Sequence, residues 1–133
     1  MTTTLIIHEK VPSNNGTNGL LRMHWRERKK IKVRYFWLFK SQTQNRHIGR
    51  VKIHIVHHYR AKPIADYDNL VSTCKILFDA LKDAAIIVDD HQLITGIPTF
   101  KQIRVKDKKD IKTVITVSDL TQEQLDNLTT TTK

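Results

Sequence analysis

The sequence contains a single cysteine, Cys74, in 133 residues. One cysteine cannot build an intrachain disulfide framework, and it cannot supply a thiol-rich metal site. This cysteine usage fits a reducing compartment, so we expect a cytoplasmic protein. The length predicts one domain, and a hydrophobic content of 39% predicts a thin core that self-association would help to complete.

Long hydrophobic runs are also missing from the chain. No segment approaches the roughly 20 apolar residues that a membrane-spanning helix needs. Residues 1–8 lack both a basic segment and a long apolar run, so we do not expect a signal peptide. There is no internal repeat. The sequence therefore predicts no membrane partner.

Acidic residues are few, and they are unevenly distributed. The chain has 23 lysines and arginines against 13 aspartates and glutamates, which gives a formal charge of +10. This charge favours a polyanionic partner, with nucleic acid as the leading class. Six of the 13 acidic residues nevertheless fall within 25 positions, at Asp66, Asp68, Asp79, Asp83, Asp89 and Asp90. Because clustered carboxylates repel phosphate, they indicate a divalent metal ion between the protein and a nucleic-acid backbone.

Hydrophobic periodicity predicts an α/β (α+β) domain over residues 1–118 and a partly disordered tail over 119–133. Strands are expected at 5–7, 50–59, 86–88 and 112–118. Extended chain is expected over 91–105, followed by a hairpin-type turn at 105–111. Helices are expected at about 23–44 and 68–84.

The first predicted helix is strongly basic. Its segment 22–40 holds eight lysines and arginines against one acidic residue, Glu27. Helical spacing groups Val33, Phe36, Trp37 and Lys40 on one face that can pack in the core. We expect the aromatic residues interleaved with the charges, Trp25, Phe36, Trp37 and Phe39, to lie in the core, and the alternative is that they stack on bases. A solvated basic surface is the alternative to phosphate contact, which we favour. The predicted DNA-contacting residues of this helix are Arg26, Arg28, Lys29, Lys30, Lys32 and Arg34.

Three histidines of the second predicted strand, His54, His57 and His58, suggest a metal site at first sight. Adjacent residues on a strand point to opposite faces, however, so His57 and His58 make a poor chelate. We therefore interpret all three as strand residues.

Two pairs of aspartates flank the second predicted helix. Asp66 and Asp68 lie at its start, and Asp89 and Asp90 follow the short strand after it. A helix followed by a strand can fold the second pair back toward the first, where Mg²⁺, or alternatively Mn²⁺, would relieve the repulsion. Alternatively, Asp68 is an ordinary helix N-cap and the second pair is an ordinary turn.

The second predicted helix has an apolar and a polar stripe. The apolar stripe is Leu70, Cys74, Leu77, Phe78 and Leu81, so Cys74 should be inert. The polar stripe is Asp68, Ser72, Lys75 and Asp79. On that stripe Lys75 can neutralise charge on a phosphate, or position the water that a metal ion activates for in-line attack. An intrahelical pair between Lys75 and Asp79 is the alternative.

These acidic and basic residues match a known pattern. The segments Asp66-Tyr-Asp68-Asn69-Leu70, Lys75-Ile-Leu-Phe-Asp79-Ala80-Leu81 and Ile87-Val88-Asp89-Asp90 resemble the signature of the RusA family of Holliday junction resolvases. Pro12-Ser13-Asn14-Asn15 resembles its N-terminal motif, and the resemblance covers about residues 5–117. It implies a small mixed β-sheet packed against helices, a symmetric homodimer of bacterial or phage origin, and Mg²⁺-dependent resolution of four-way DNA junctions by paired nicks.

The resemblance also implies roles for individual residues. Family catalytic residues correspond to Asp66, Asp68, Asp90 and Lys75, and the implied metal ligands are Asp66, Asp68, Asp89 and Asp90. Asn14, Asn15 and Asn69 are further candidates for DNA contact. Compact members place their lysine four residues after the second aspartate, where this chain has Ser72, so either Ser72 or Lys75 faces the site.

One further departure concerns Ala85, which stands where many members have glycine. We expect an ordinary backbone there. Besides a junction resolvase acting in recombination and repair, two alternatives fit the residues: a non-catalytic basic DNA-binding protein, and a less selective nuclease for flaps or other branched DNA.

Overall fold

A computed structural model describes residues 1–11, 25–61, 67–88 and 97–120, and within 67–72 it describes the backbone alone. The described residues form a mixed α+β domain, which confirms the predicted fold class at that level. The strands are β1 (Thr2–Ile7), β2 (Val51–Tyr59), β3 (Thr99–Arg104) and β4 (Lys112–Asp119). The helices are α1 (Trp25–Gln42) and α2 (Tyr67–Asp83), with a 3₁₀ turn at Lys108–Asp110.

The four described strands form one mixed sheet in the order β1-β4-β2-β3. β4 runs antiparallel to both β1 and β2, whereas β2 and β3 are parallel. Alternating side chains give the sheet one buried face, and one row across it is Leu5, Ile115, Ile55 and Phe100. The predicted mixed sheet is therefore confirmed, and its apolar face forms one side of the core.

The predicted hairpin at residues 105–111 is wrong. β2 lies between β3 and β4 in the sheet, so the connection crosses over the end of β2 and does not join neighbouring strands. The turn chemistry itself is real, since the carboxylate of Asp107 accepts a hydrogen bond from the backbone N–H of Lys109 at 3.2 Å. Local turn residues show that the chain reverses direction, but they do not show which strands pair afterwards.

The predicted strand at residues 86–88 is also wrong. Ile86 and Ile87 are buried as expected, but Val88 is exposed. Ile87 forms a single parallel bridge to His47, and no ladder extends from it within the described residues. The apolar run thus predicted burial correctly for Ile86 and Ile87 alone, and it did not predict the secondary structure.

The apolar stripe of α2 is confirmed where its side chains are described. Cys74, Leu77, Phe78 and Leu81 are all buried. Burial raises the pKa of the Cys74 thiol to about 12, so this cysteine is held in its unreactive protonated form.

Ala85 contradicts the expectation of an ordinary backbone, because its φ is 60°. The backbone N–H of Ile86 donates to the carbonyl of Leu81 at 3.0 Å, and that of Ala85 donates to Lys82 at 2.9 Å. This pair of bonds is a Schellman motif, which normally places glycine at the left-handed position. Alanine at this position therefore adds the strain of a Cβ to a backbone geometry that favours glycine.

The predicted packing of α1 is wrong for Trp25, Val33 and Trp37, whereas Phe36 packs against the core and Phe39 lies within it, as expected. Tyr35 and Phe39 are completely buried, whereas Val33 and Trp37 are 45% and 63% exposed. Residues two positions apart on a helix lie about 200° apart, so the observed and predicted faces are nearly opposite. The buried residues follow i, i+4 spacing and face α2 and β1.

The last described residues of the chain are linked by backbone hydrogen bonds to Met1 and Arg50 at one end of the sheet. The backbone N–H of Asp119 donates to the carbonyl of Met1 at 3.1 Å, and that of Leu120 donates to Arg50 at 3.2 Å. β4 thus reaches one residue into the predicted tail, whose remainder from residue 121 lies outside the described residues. None of the helices in the described ranges has the length and apolar character needed to cross a membrane.

Candidate nucleic-acid interface

Two of the four predicted catalytic residues, Asp68 and Lys75, lie on α2. Asp68 is the second residue of the helix, and the helix continues without interruption to Asp83. Asp68 and Lys75 are seven positions apart, which corresponds to about 10 Å along the axis and only about 20° around it. The backbone thus keeps both residues on one helical face, as their spacing predicts.

Several predicted site residues cannot be placed. Asn14, Asn15, Asp66, Asp89 and Asp90 lie outside the described residues, as do the side chains of Asp68, Asn69 and Ser72. Among the residues described with side chains, no three histidines, cysteines or carboxylates come together in a way that could hold a metal ion. The metal site, and the choice between Ser72 and Lys75, therefore stay predictions.

A cationic groove lies where α1 passes α2. It has a volume of about 380 Å³. Ile76 supplies apolar surface, and the polar and aromatic lining is Trp25, Arg28, Lys29, Lys32, Lys75 and Asp79. We call this cavity the α1–α2 groove. It brings Lys75, the predicted catalytic lysine, next to three of the six predicted DNA-contacting residues of α1.

The charge of the groove is strongly positive. Lys32 Nζ lies 3.0 Å from Asp79 Oδ2, so the single carboxylate of the lining is neutralised across the two helices. This pair differs from the alternative intrahelical pair of Asp79 with Lys75. Arg28, Lys29 and Lys75 have no carboxylate partner among the described residues. Three cations thus converge on one concave surface, which is an arrangement that binds phosphate.

The other predicted DNA-contacting residues of α1 have local partners. Arg34 forms an ion pair with Glu9, and Lys30 Nζ lies 3.5 Å from Glu27 Oε1. The guanidinium of Arg26 lies 5.4 Å from the centre of the Trp25 ring. All three side chains stay on the surface, where each remains available to a polyanion at the cost of a weak surface contact.

Exposed aromatic residues on α1 were missed by the sequence analysis. Both tryptophans of the chain lie on this helix, and Trp25 and Trp37 are 55% and 63% exposed. A second i, i+4 stripe of Ile31, Tyr35 and Phe39 was present in the sequence and was the signal that could have identified the other face as buried.

The histidines of β2 behave as strand residues. His57 is buried, whereas His58, on the opposite face, is partly exposed. Burial lowers the pKa of His57 to about 4, with smaller contributions from Lys10 and His58. Among the described residues, neither ring nitrogen of His57 has a hydrogen-bond partner. His54 Nδ1 lies 2.6 Å from Thr99 Oγ1, which ties β2 to β3.

A further histidine, His47, is buried and links β1 to the exposed Asp119 at the end of β4. Its Nδ1 lies 2.8 Å from Asp119 Oδ1, and its Nε2 lies 2.8 Å from Thr3 Oγ1. The hydrogen bond from His47 lowers the pKa of the Asp119 carboxyl. An acid, a histidine and a hydroxyl in line are also the parts of a hydrolase triad. Thr3 and His47 are buried, however, so no substrate reaches the hydroxyl, and the network is a structural clamp.

Comparison with protein-family models and with curated proteins finds no match for this chain.

Proposed function

We propose that this protein is a Mg²⁺-dependent endonuclease that resolves four-way DNA junctions by paired symmetric nicks. One observation carries the proposal: Lys75, within the aspartate and lysine pattern of the RusA family, lines a groove whose other cations come from the basic helix α1. This neighbourhood supports the proposal, because Lys75 and the cations of α1 were inferred from separate segments of the sequence.

The residues would divide the chemistry as follows. Asp66, Asp68, Asp89 and Asp90 would hold the metal ion, which supplies a water activated for attack on phosphorus. Lys75 stabilises the negative charge that builds up on the phosphate during the reaction. Arg28 and Lys29, on the other wall of the α1–α2 groove, fix the DNA backbone in register with the site.

A symmetric homodimer suits this substrate. A four-way junction contains two equivalent strands to cut, and a two-fold dimer presents two identical sites to them. The thin core of a chain of this length also favours association. Mn²⁺ is the alternative ion, because it takes the same oxygen ligands in the same geometry.

A non-catalytic DNA-binding protein is the second candidate. The α1–α2 groove favours it, because cations alone are sufficient to bind a DNA backbone and need no carboxylates. Such a protein would bind a junction equally well without a divalent ion and would leave it intact.

The test is the cleavage of an end-labelled mobile junction with Mg²⁺, with Mn²⁺ and in EDTA. We expect paired symmetric nicks only with a metal ion. Loss of a metal ligand should cost at least as much as loss of a residue that supports one, so Asp68→Asn should slow cleavage by more than about 100-fold while binding survives.

The matched control is Asp110→Asn, which makes the same chemical change on an exposed residue of the β3–β4 connection. It should cleave as the unmodified protein does. Undiminished cleavage by Asp68→Asn would contradict the catalytic assignment. Equal cleavage of a flap or a linear duplex would replace junction resolution with a less selective nuclease.

A further inference from the structure

Two exposed tryptophans on a basic helix are unusual and need an explanation. Large apolar side chains are normally withdrawn from water, and exposed ones that cluster mark a binding surface. Trp25, Val33 and Trp37 are exposed at intervals of four or eight residues, so they form a row that winds by about 120° around α1 over about 18 Å. Lys29 is exposed in the same row, between Trp25 and Val33.

The charges beside this row identify the class of partner. Helix α1 itself carries seven lysines and arginines and a single acidic residue, Glu27. A second copy of the chain would bring the same positive charges to the interface, and lysine is depleted from the centres of protein interfaces. A polyanion that also offers flat apolar surfaces meets both requirements, and nucleic acid has phosphates and bases together.

We propose that Trp25 and the α1–α2 groove bind one unpaired nucleotide, with its base stacked on the indole and its phosphate on Arg28, Lys29 and Lys75. The inference rests on the proposed function only in taking nucleic acid as the partner; it does not require cleavage. Unpaired bases are specified because the faces of bases inside a duplex are already stacked on their neighbours. A branch point or a single strand offers such a base.

Trp25, and not Trp37, is the residue placed for this contact. Trp25 lines the groove together with the three cations, and it also borders a shallower cavity lined by Arg26, Lys29 and Lys30. Trp37 lies about 18 Å away, with its ring packed edge-on against Phe36 at a centroid distance of 5.0 Å. It lines neither cavity. Trp37 is therefore a natural internal control on the same helix.

Intrinsic fluorescence tests the inference directly, since α1 carries both tryptophans of the chain. The full-length protein is titrated in EDTA with oligothymidylate and, separately, with a blunt duplex of equal length. We expect oligothymidylate to quench the emission strongly. Trp37→Phe, which leaves Trp25 as the fluorophore, should keep this quenching, and Trp25→Phe should lose most of it.

Affinity provides the second measurement. Removal of one stacking residue should weaken binding of oligothymidylate about 10-fold in Trp25→Ala, with partial recovery in Trp25→Phe. Duplex binding should change less than about twofold, because its phosphate contacts remain. Circular dichroism confirms that each variant is folded.

Three results would overturn the inference. The first is equal weakening of single-strand and duplex binding by Trp25→Ala. The second is quenching that follows Trp37. The third is a dimer that Trp25→Ala converts to monomer in sedimentation, which would make a second copy the occupant. Because no metal ion is present, the outcome is independent of junction cleavage: an inactive protein that shows Trp25 quenching would retain this inference and lose the proposed enzyme.

Discussion

The two helices of this protein present their apolar residues in opposite ways. α2 has one apolar stripe, and all of its described members are buried. α1 has apolar residues on two nearly opposite sides, and it buries Tyr35 and Phe39 while exposing Val33 and Trp37. A single stripe allows one way to pack, so the sequence predicts it correctly. Two stripes allow two ways to pack. Whichever stripe is buried in the core, the other remains on the surface and is available for binding.

The largest expected effect tests the two sides of α1 against each other. Phe39→Ala removes a completely buried ring and should lower the free energy of unfolding by about 3–5 kcal/mol. Trp37→Ala removes a ring that is 63% exposed and should cost less than about 1 kcal/mol. Both variants end in alanine, so helix propensity affects them similarly.

Urea denaturation followed by circular dichroism measures both changes. Fluorescence is unsuitable here, because one variant removes a fluorophore. If Trp37→Ala were as destabilising as Phe39→Ala, the face with Val33 and Trp37 would be the packed one, and the contrast with α2 would disappear.

The next largest expected effect contrasts buried and exposed histidines of the sheet. His57 lies on the buried face of the sheet, beneath the helices. Its pKa is lowered from 6.5 to about 4, so between these values the unfolded chain binds a proton that the folded protein does not. Above pH 6.5 the titration of His57 therefore leaves the free energy of unfolding unchanged. As the pH falls from 6.5 toward 4, the same titration lowers the free energy of unfolding. The total loss is about 3 kcal/mol.

The urea midpoint measured from pH 7 to pH 4 should therefore fall. In His57→Leu the fall should be much smaller, because the buried ionisable group is gone. Stability at pH 7 should be equal or higher, since the substitution removes two buried ring nitrogens that have no partner in the described part of the chain. Burial also lowers the pKa of His58, which leaves a smaller slope of the same sign. Exposed His8 supplies the control, and His8→Leu should keep the full pH dependence.

The smallest effect concerns the end of α2. Ala85 has a φ of 60°, which costs an L-residue about 1–2 kcal/mol relative to glycine. Glycine loses more backbone entropy on folding, by about 0.4–1 kcal/mol. Ala85→Gly should therefore raise the free energy of unfolding by about 0.5–1 kcal/mol, measured by urea denaturation at pH 7.

Ala84→Gly is the control for that substitution. Ala84 is buried directly before Ala85, and φ is positive at Ala85 alone among the described non-glycine residues. The control should therefore be destabilising. A destabilised Ala85→Gly protein would show that the left-handed turn carries no strain.

Sequence reasoning succeeded where the controlling interactions are local. The range of α2, the inert Cys74 and the opposite orientations of His57 and His58 all follow from helix or strand periodicity. The Schellman turn at Ala85 was not predicted, because glycine is the residue that normally occupies its left-handed position and alanine seldom does. Alanine therefore predicts an ordinary backbone there, and that prediction is wrong. The predicted aspartate cluster depends on Asp66, Asp89 and Asp90, which lie outside the described residues, so it stays a prediction.

Composition and short-range periodicity were sufficient to predict the strong positive charge, the alternation of strands and helices, and the buried side of α2, because these properties are complete within each segment. The three-dimensional arrangement was needed to show that β2 separates β3 from β4, that Lys32 pairs with Asp79, and that Trp25 borders a groove with Lys75. Each of these depends on residues distant in the chain. The free energy of burying the whole core selects which of these residues meet. No single segment of the sequence contains enough information to predict that choice.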